Sequence, residues 1–260
     1  MNPTQNSTAP QRISLSARSI VAESYQLFKT DIGQMLAFTL FFGVVYLASS
    51  LLNLGGALGL LNWVISLAIV PLSAGYFFVF RAIQRHESYT FSHFFAGYSK
   101  ALRLIGVFFF QLIIVLLPLQ FLLKMMYGDY FEEISKDPSA LENLINQGAL
   151  DPGKLGMGYL LMLVHGLVFG IAFFLANYFA AVGKGHAWNA METSRKWAFK
   201  NFSLFFRLLI LLLLLNVAGF LALGVGLLFT IPITFGAVYV LGSKITKLSE
   251  GSFAASSEVE

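Results

Sequence analysis

Six long apolar runs, at about residues 33–54, 58–80, 102–123, 155–182, 202–223 and 224–242, contain no aspartate or glutamate. No other feature constrains the fold as much. Crossing about 30 Å of hydrocarbon at about 1.5 Å per residue takes roughly 20 apolar residues, which is what each run supplies. An uncompensated charge in the middle of a bilayer costs at least a few kcal/mol, so a spanning helix excludes it. Composition agrees with that reading. Only 12% of the 260 residues are charged, against about 25% for a soluble domain. The mean hydropathy is +0.73. The 27 Phe give lipid-facing bulk and the 23 Gly allow helices to approach closely. The expected fold is an all-α integral membrane protein with six transmembrane helices in three hairpins.

The segments between the runs complete the plan. Residues 1–12 are polar and contain proline, and are expected to be disordered, with no signal-peptide pattern. From Ile13 to Lys29 the apolar residues Ile13, Ala17, Ile20, Val21, Tyr25 and Phe28 recur at helical spacing, which predicts an amphipathic interfacial helix. Gly55-Gly56 reads as the turn between the first two runs. The stretches Tyr89–Tyr98 and 184–200 repeat the basic, aromatic character and predict further surface helices. Pro118 predicts a kink near the far end of the third run. The outer loop 124–154 carries two helix-start signals, Asp137-Pro138 and a capping box at Ser139-Ala-Leu-Glu142, with Gly148 as a stop. Residues 249–260 read as a flexible tail, leaving 13–248 as a single membrane domain.

Charge sets the orientation. With six spans, Lys or Arg at 12, 18, 29, 81, 85, 100, 103, 184, 195, 196, 200, 207, 244 and 247 share one side, 14 of the 17 in the chain. Lys124, Lys136 and Lys154 fall on the other. The positive-inside rule then puts both termini in the cytoplasm. A net charge of +4 does not indicate a nucleic-acid partner, because the cations sit at the ends of apolar runs.

The three hairpins read as one unit used three times. Each is preceded by a surface-helix segment ending in lysine, at Lys29, Lys100 and Lys200. The second spans of the first and third units share Pro-x-x-x-Gly, at Pro71/Gly75 and Pro232/Gly236, and the middle unit has Gly166 and Gly170 instead. All three units run in the same direction, which implies an axis along the membrane normal and not an inverted repeat.

The third unit joins Arg195-Lys196, Lys200-Asn201, a leucine-rich span, Leu223-Gly-Val-Gly-Leu, Ile231-Pro-Ile and Tyr239. It resembles bacterial six-span membrane protein families of uncharacterised role, including the membrane domain joined to some glycerophosphodiester phosphodiesterases. That resemblance covers about sixty residues of the C-terminal third. It implies an anchoring or accessory membrane domain without an assigned active site, in the bacterial cytoplasmic (inner) membrane.

Residues with catalytic potential are sparse. His-Glu-x-x-His, Gly-x-Ser-x-Gly and a phosphate-binding Gly-x-x-x-x-Gly-Lys do not occur, and the absence of cysteine excludes thiolate chemistry. Glu132-Glu133 lacks the following arginine of the intramembrane prenyl-protease relatives it resembles. His86, His93 and His186 read as interfacial side chains, not as a metal set. Neither a catalytic group, nor a metal, nor a cofactor is expected.

Two candidate sites remain. His165 lies inside the fourth run, Asn216 lies at a similar depth in the fifth, and Gln111 and Gln120 bracket that depth in the third. Their convergence would make a polar pocket in the outer half of the bundle, against the plainer reading of interhelical hydrogen bonds. Arg81, Arg85, Lys100, Arg103, Lys184, Arg195, Lys196 and Lys200 form a basic ring with Tyr98, Trp188 and Trp197, expected to gather anionic lipid. Arg207, about a turn and a half inside the fifth run, is expected to snorkel to the same headgroups. The function expected is a non-enzymatic scaffold or accessory protein that interacts with membrane lipids, or with a protein partner through the 124–154 loop. The alternative is a transporter or lipid-moving protein built on the outer polar pocket.

Overall fold

A computed structural model of the chain describes residues 15–51, 56–128, 130–137, 139–148, 152–183 and 185–257. The expectations for residues 1–12, the Gly55 turn and Lys184 lie outside the described residues, as do 258–260 of the tail. The described residues are mostly helical, without a strand. Six stretches are long and apolar enough to cross a membrane: Ile32–Ser50, Trp63–Gln84, Phe91–Tyr127, Gly156–Val182, Phe202–Leu221 and Leu227–Leu248. The protein is an all-α integral membrane protein.

Each hairpin has a lead segment, a first span and a second span. The first unit is α1 (Ala17–Thr30), α2 (Ile32–Leu51), then α3 (Gly56–Ser73) continued by α4 (Gly75–Gln84). The second opens with a 3₁₀ segment (Phe91–Lys100) and α5 (Ala101–Tyr127). After α6 (Tyr130–Lys136) and α7 (Ala140–Asn146) in the outer loop, it returns through α8 (Pro152–Ala172) and α9 (Ala176–Val182). The third is α10 (Ala187–Lys200), α11 (Phe202–Leu221) and α12 (Leu227–Ser257). Backbone helix therefore continues past Ser249, through most of the segment expected to be a loose tail.

Helix starts follow local chemistry. Ser16 caps α1 by accepting from the Ser19 N–H at 3.0 Å. Thr90 and His93 cap the 3₁₀ segment together, the Thr90 N–H donating to His93 Nδ1 at 3.1 Å. In the outer loop the expected capping box does not form. The Ser139 N–H and hydroxyl both donate to Asp137 Oδ1, at 2.9 and 2.7 Å, so an Asx turn precedes α7. Gly148, with φ +67°, ends that helix as expected.

The three units pack in a closed cyclic order. Each lead segment lies on the second span of the preceding unit: the 3₁₀ segment on α4, α10 on α9, and α1 on α12. Each first span follows suit, with α5 on α3, α11 on α8, and α2 on α12. The last parts of the three second spans meet one another, α4 with α9 and both with α12. That meeting point is solid with rings. Tyr76 stacks on Phe235 at 4.7 Å, Phe77 meets Tyr178 edge-on at 5.7 Å, and Tyr239 lies against Phe80 at 5.9 Å.

Small groups let the lead segments seat. Ser24 of α1 is fully buried and donates to the Ile233 carbonyl at 2.6 Å. Ser194 of α10, at the same distance ahead of its first span, donates to the Ala172 carbonyl at 2.9 Å. It also accepts from the Leu175 N–H at 3.1 Å. Pro232 and Ile171 occupy matching places when Gly236 is aligned with Leu175, so the two serines address corresponding carbonyls. In the second unit backbone meets backbone instead. A Cβ on Gly75 would lie 1.8 Å from the Phe94 carbonyl oxygen, and one on Gly97 would lie 2.0 Å from that of Pro71.

Candidate functional site

The outer polar residues are taken up separately. His165 Nε2 donates to the Val115 carbonyl of α5 at 2.9 Å, because a carbonyl only accepts. Val115 stands three residues before Pro118, whose ring removes one helical hydrogen bond and opens the turn before it. The carbonyl orphaned by Pro118 is that of Ile114, four residues back, so His165 bonds its neighbour in the same turn, and α5 runs on through the proline without the expected interruption. Tyr98 treats Pro71 in the same way, donating to the Ala68 carbonyl, three residues upstream, at 2.9 Å. These two pairings share a logic that spacing alone does not reveal.

Asn216 belongs to a different cluster, between α11 and α12. Its Nδ2 donates to the Leu212 carbonyl and to Thr234 Oγ1, both at 2.8 Å, and its Oδ1 accepts from Thr230 Oγ1 at 3.0 Å. Thr234 in turn donates to the Thr230 carbonyl at 2.8 Å. Gln111 of α5 is half-buried and Gln120 is exposed. His165 and Asn216 therefore bond to different neighbouring helices, α5 and α12, through separate sets of atoms.

The basic residues divide by what they touch. Arg103 donates from one guanidinium nitrogen to the carbonyls of Ala180 and Gly183, closing the C-terminal end of α9, where a cation is electrostatically favoured. Arg195 makes a two-pronged pair with Glu192, at 2.8 Å in both arms, and Lys196 adds a contact to the same carboxylate at 3.4 Å. The Arg195 hydrogen bond, followed by the Lys196 one, lowers the Glu192 carboxyl to about 2. Arg85 lies 3.7 Å from Glu87, and Lys200 sits over the Trp197 ring at 5.9 Å. Arg81 is half-buried and Lys100 exposed. Lys244 pairs with Glu23 and ties α12 to α1. Outside the ring, burial and the Asp31 carboxylate accepting its hydroxyl at 2.8 Å raise the Tyr89 phenol. Among the described residues no group of three or more His, Cys, Asp or Glu side chains is placed to hold a metal.

Two grooves open on this end. One, of about 430 Å³, lies between α10 and the helices α5 and α8, with Glu192 and Arg195 at its rim. The other, of about 770 Å³, lies between the start of α1, the end of α10 and the first part of α11. Arg18, Lys200 and Arg207 stand around it, and Ile210, Leu211 and Leu214 continue along its wall. Both Arg18 and Arg207 are exposed. Among the described residues neither has a carboxylate within ion-pair distance. The helices α1 and α11 both begin here, so their N-terminal ends add positive potential. Arg18 was missed as a ligand contact because it sits on the polar face of a helix read only as an anchor. Arg207 was noticed one residue at a time, without the helix that faces it. Six spans around a basic end define the class, an integral membrane protein. No protein family, curated protein or solved structure matches this chain in comparison.

Proposed function

We propose that the chain is a non-enzymatic scaffold or accessory protein of the bacterial cytoplasmic (inner) membrane, presenting lipids or partner proteins with a rigid basic end. The supporting observation is how the polar groups inside the spans are used. His165 and Tyr98 bond carbonyls in the turns before Pro118 and Pro71, Asn216 ties α11 to α12, and rings fill the place where the second spans meet. Groups committed to holding helices together favour a framework over a permeation path. The resemblance of the C-terminal third to accessory membrane domains points the same way. With 14 of 17 Lys and Arg on one side, both termini are cytoplasmic, and the outer loop with α6 and α7 faces the opposite compartment as the surface for a protein partner.

Two measurements test this. Alkaline phosphatase fused after Lys136 should be active, and after Arg85 or Lys247 inactive. The reverse pattern removes the orientation. Native mass spectrometry of the protein released with its surrounding membrane should find lipid or a stoichiometric protein partner. Enrichment of one small solute, lost in His165→Ala, would replace the scaffold with a carrier.

A further inference from the structure

The groove between α1 and α11 has the chemistry of a phospholipid site. Its mouth carries the exposed guanidinium groups of Arg18 and Arg207, with Lys200 beside them at the end of α10. Arg207 lies five residues into α11, so it stands about 7.5 Å along the helix from Phe202. Ile210, Leu211 and Leu214 follow Arg207 at three, four and seven residues and so line the same face of α11. Leu214 lies about 10 Å farther along the axis than Arg207. Charge at the mouth and an apolar stripe running away from it match one molecular shape, an anionic head joined to a hydrocarbon chain.

We propose that this groove binds one anionic glycerophospholipid, its phosphate between Arg18, Arg207 and Lys200 and one acyl chain along the Ile210–Leu214 stripe. The charge pattern carries the choice of ligand. Arg195 and Lys196 are already held by Glu192, and Arg103 by the carbonyls of α9. Arg18 and Arg207 have no such carboxylate among the described residues, so a lipid phosphate is their complementary partner. Guanidinium groups also suit phosphate better than ammonium groups do, through paired parallel hydrogen bonds. Seating the lipid here would bridge the first unit to the third, where the chain's cyclic packing closes. This inference deepens the lipid half of the scaffold reading and rests on it.

The full chain, purified in a neutral detergent, is titrated with dioleoylphosphatidylglycerol and, separately, with dioleoylphosphatidylcholine, reading retained lipid by native mass spectrometry. One phosphatidylglycerol per chain is expected at concentrations where phosphatidylcholine is not retained. Arg18→Gln with Arg207→Gln should weaken retention roughly thirtyfold, two cations' worth of surface attraction. Ile210→Trp, which fills the wall but keeps all three cations, should also displace the lipid. Lys136→Gln, at the far end, should leave retention unchanged. Equal retention of both lipids by the wild-type chain overturns the proposal without any variant. So does unaltered retention in both groove variants. Displacement by sn-glycerol 3-phosphate as effective as by the whole lipid would leave the acyl half of the site without support and overturn it as well. A stoichiometric protein partner found in native membranes would survive each of these failures, so the scaffold reading stands or falls separately.

Discussion

The two ends of the bundle are built from the same helices and behave differently. At the basic end, Ile20, Phe38, Tyr76, Phe80, Phe94, Leu104, Leu175 and Phe205 are all within 1% of complete burial. At the far end the same spans turn their side chains outward. Val44, Leu47, Trp63, Leu117, Phe121, Leu163, Leu213 and Phe220 are exposed. Along α5 no described residue beyond Val107 is buried, although the helix continues to Tyr127. Lipid tails are as apolar as leucine, so helices gain little by burying leucine against leucine, and association depends on close packing and hydrogen bonds. Both recur where the lead segments seat, and at the far end they are found chiefly between α11 and α12, at Asn216 and at Gly219 against Gly226. The lesson is that three docking events at one end bring the units together, while the far end, apart from the α11–α12 contact, turns mostly to lipid.

The largest effect should come from filling a seat. Gly75→Val puts side chain where the Phe94 backbone already lies, and backbone cannot step aside as a side-chain tip can. A loss of about 3 kcal/mol or more is expected, seen as a collapsed melting temperature in detergent or no folded protein. A wild-type melt would remove the docking account.

Next is the serine that bridges a break. Ser194→Ala leaves the Leu175 N–H and the Ala172 carbonyl without their hydroxyl, at a cost of about 1–3 kcal/mol. Ser24→Ala removes a single bond to Ile233 and should cost less, about 1 kcal/mol. Equal losses in the two variants would mean that the α8–α9 break does not depend on Ser194.

His165 probes the far end. His165→Phe should cost about 0.6 kcal/mol, and at most about 1.7, the range for polar contacts between membrane helices. Pro118→Ala lets position 118 donate to the Ile114 carbonyl and relieves the turn that holds Val115, so in that background His165→Phe should cost less. Additive losses in the double-mutant cycle would show that the histidine is not coupled to the proline turn.

Gly166→Ala is the control for Gly75→Val. No atom lies within 4 Å of where its Cβ would be, and helix propensity favours alanine by up to about 1 kcal/mol. Unchanged or slightly raised melting is expected, and a marked loss would mean that the far end packs as tightly as the basic end.

The smallest effect is electrostatic. Glu192 is held at about 2 when folded, below its ordinary 4.5, chiefly by Arg195. A depressed carboxylate stabilises the fold above its unfolded value and loses that contribution as pH falls from about 4.5 through about 2. Glu192→Gln should flatten the melting curve across that window and do nothing at pH 7 beyond the loss of an exposed pair.

Much of this architecture was legible in the chain. Apolar runs of spanning length without a carboxylate settle the six helices, because no other backbone arrangement satisfies its hydrogen bonds in hydrocarbon without closing a barrel. A helix ahead of each hairpin was legible too, from apolar residues at helical spacing before the first and from basic, aromatic character before the other two, although the buried face of α1 includes Ser24, a residue the apolar pattern passes over. The breaks were not legible. Pro232 lies inside the unbroken α12 and Pro118 inside the unbroken α5, so proline does not mark where these helices end. The α8 helix ends without any proline, one residue after Ile171, because a serine from another helix satisfies the backbone there. The polar residues were seen individually, but depth along a span does not say which way a side chain points. Asn216 turned to α12 and His165 to α5.

By itself, then, the sequence determined that this protein lives in a membrane, how many times it crosses and which end is basic. Those properties follow from the transfer energies of single residues and add along the chain. Which serine meets which carbonyl, and which two arginines share a groove, was decided only by the tertiary structure. Such pairings depend on helix rotation and on contacts between residues as distant as Arg18 and Arg207. Neither is a property that any one segment carries.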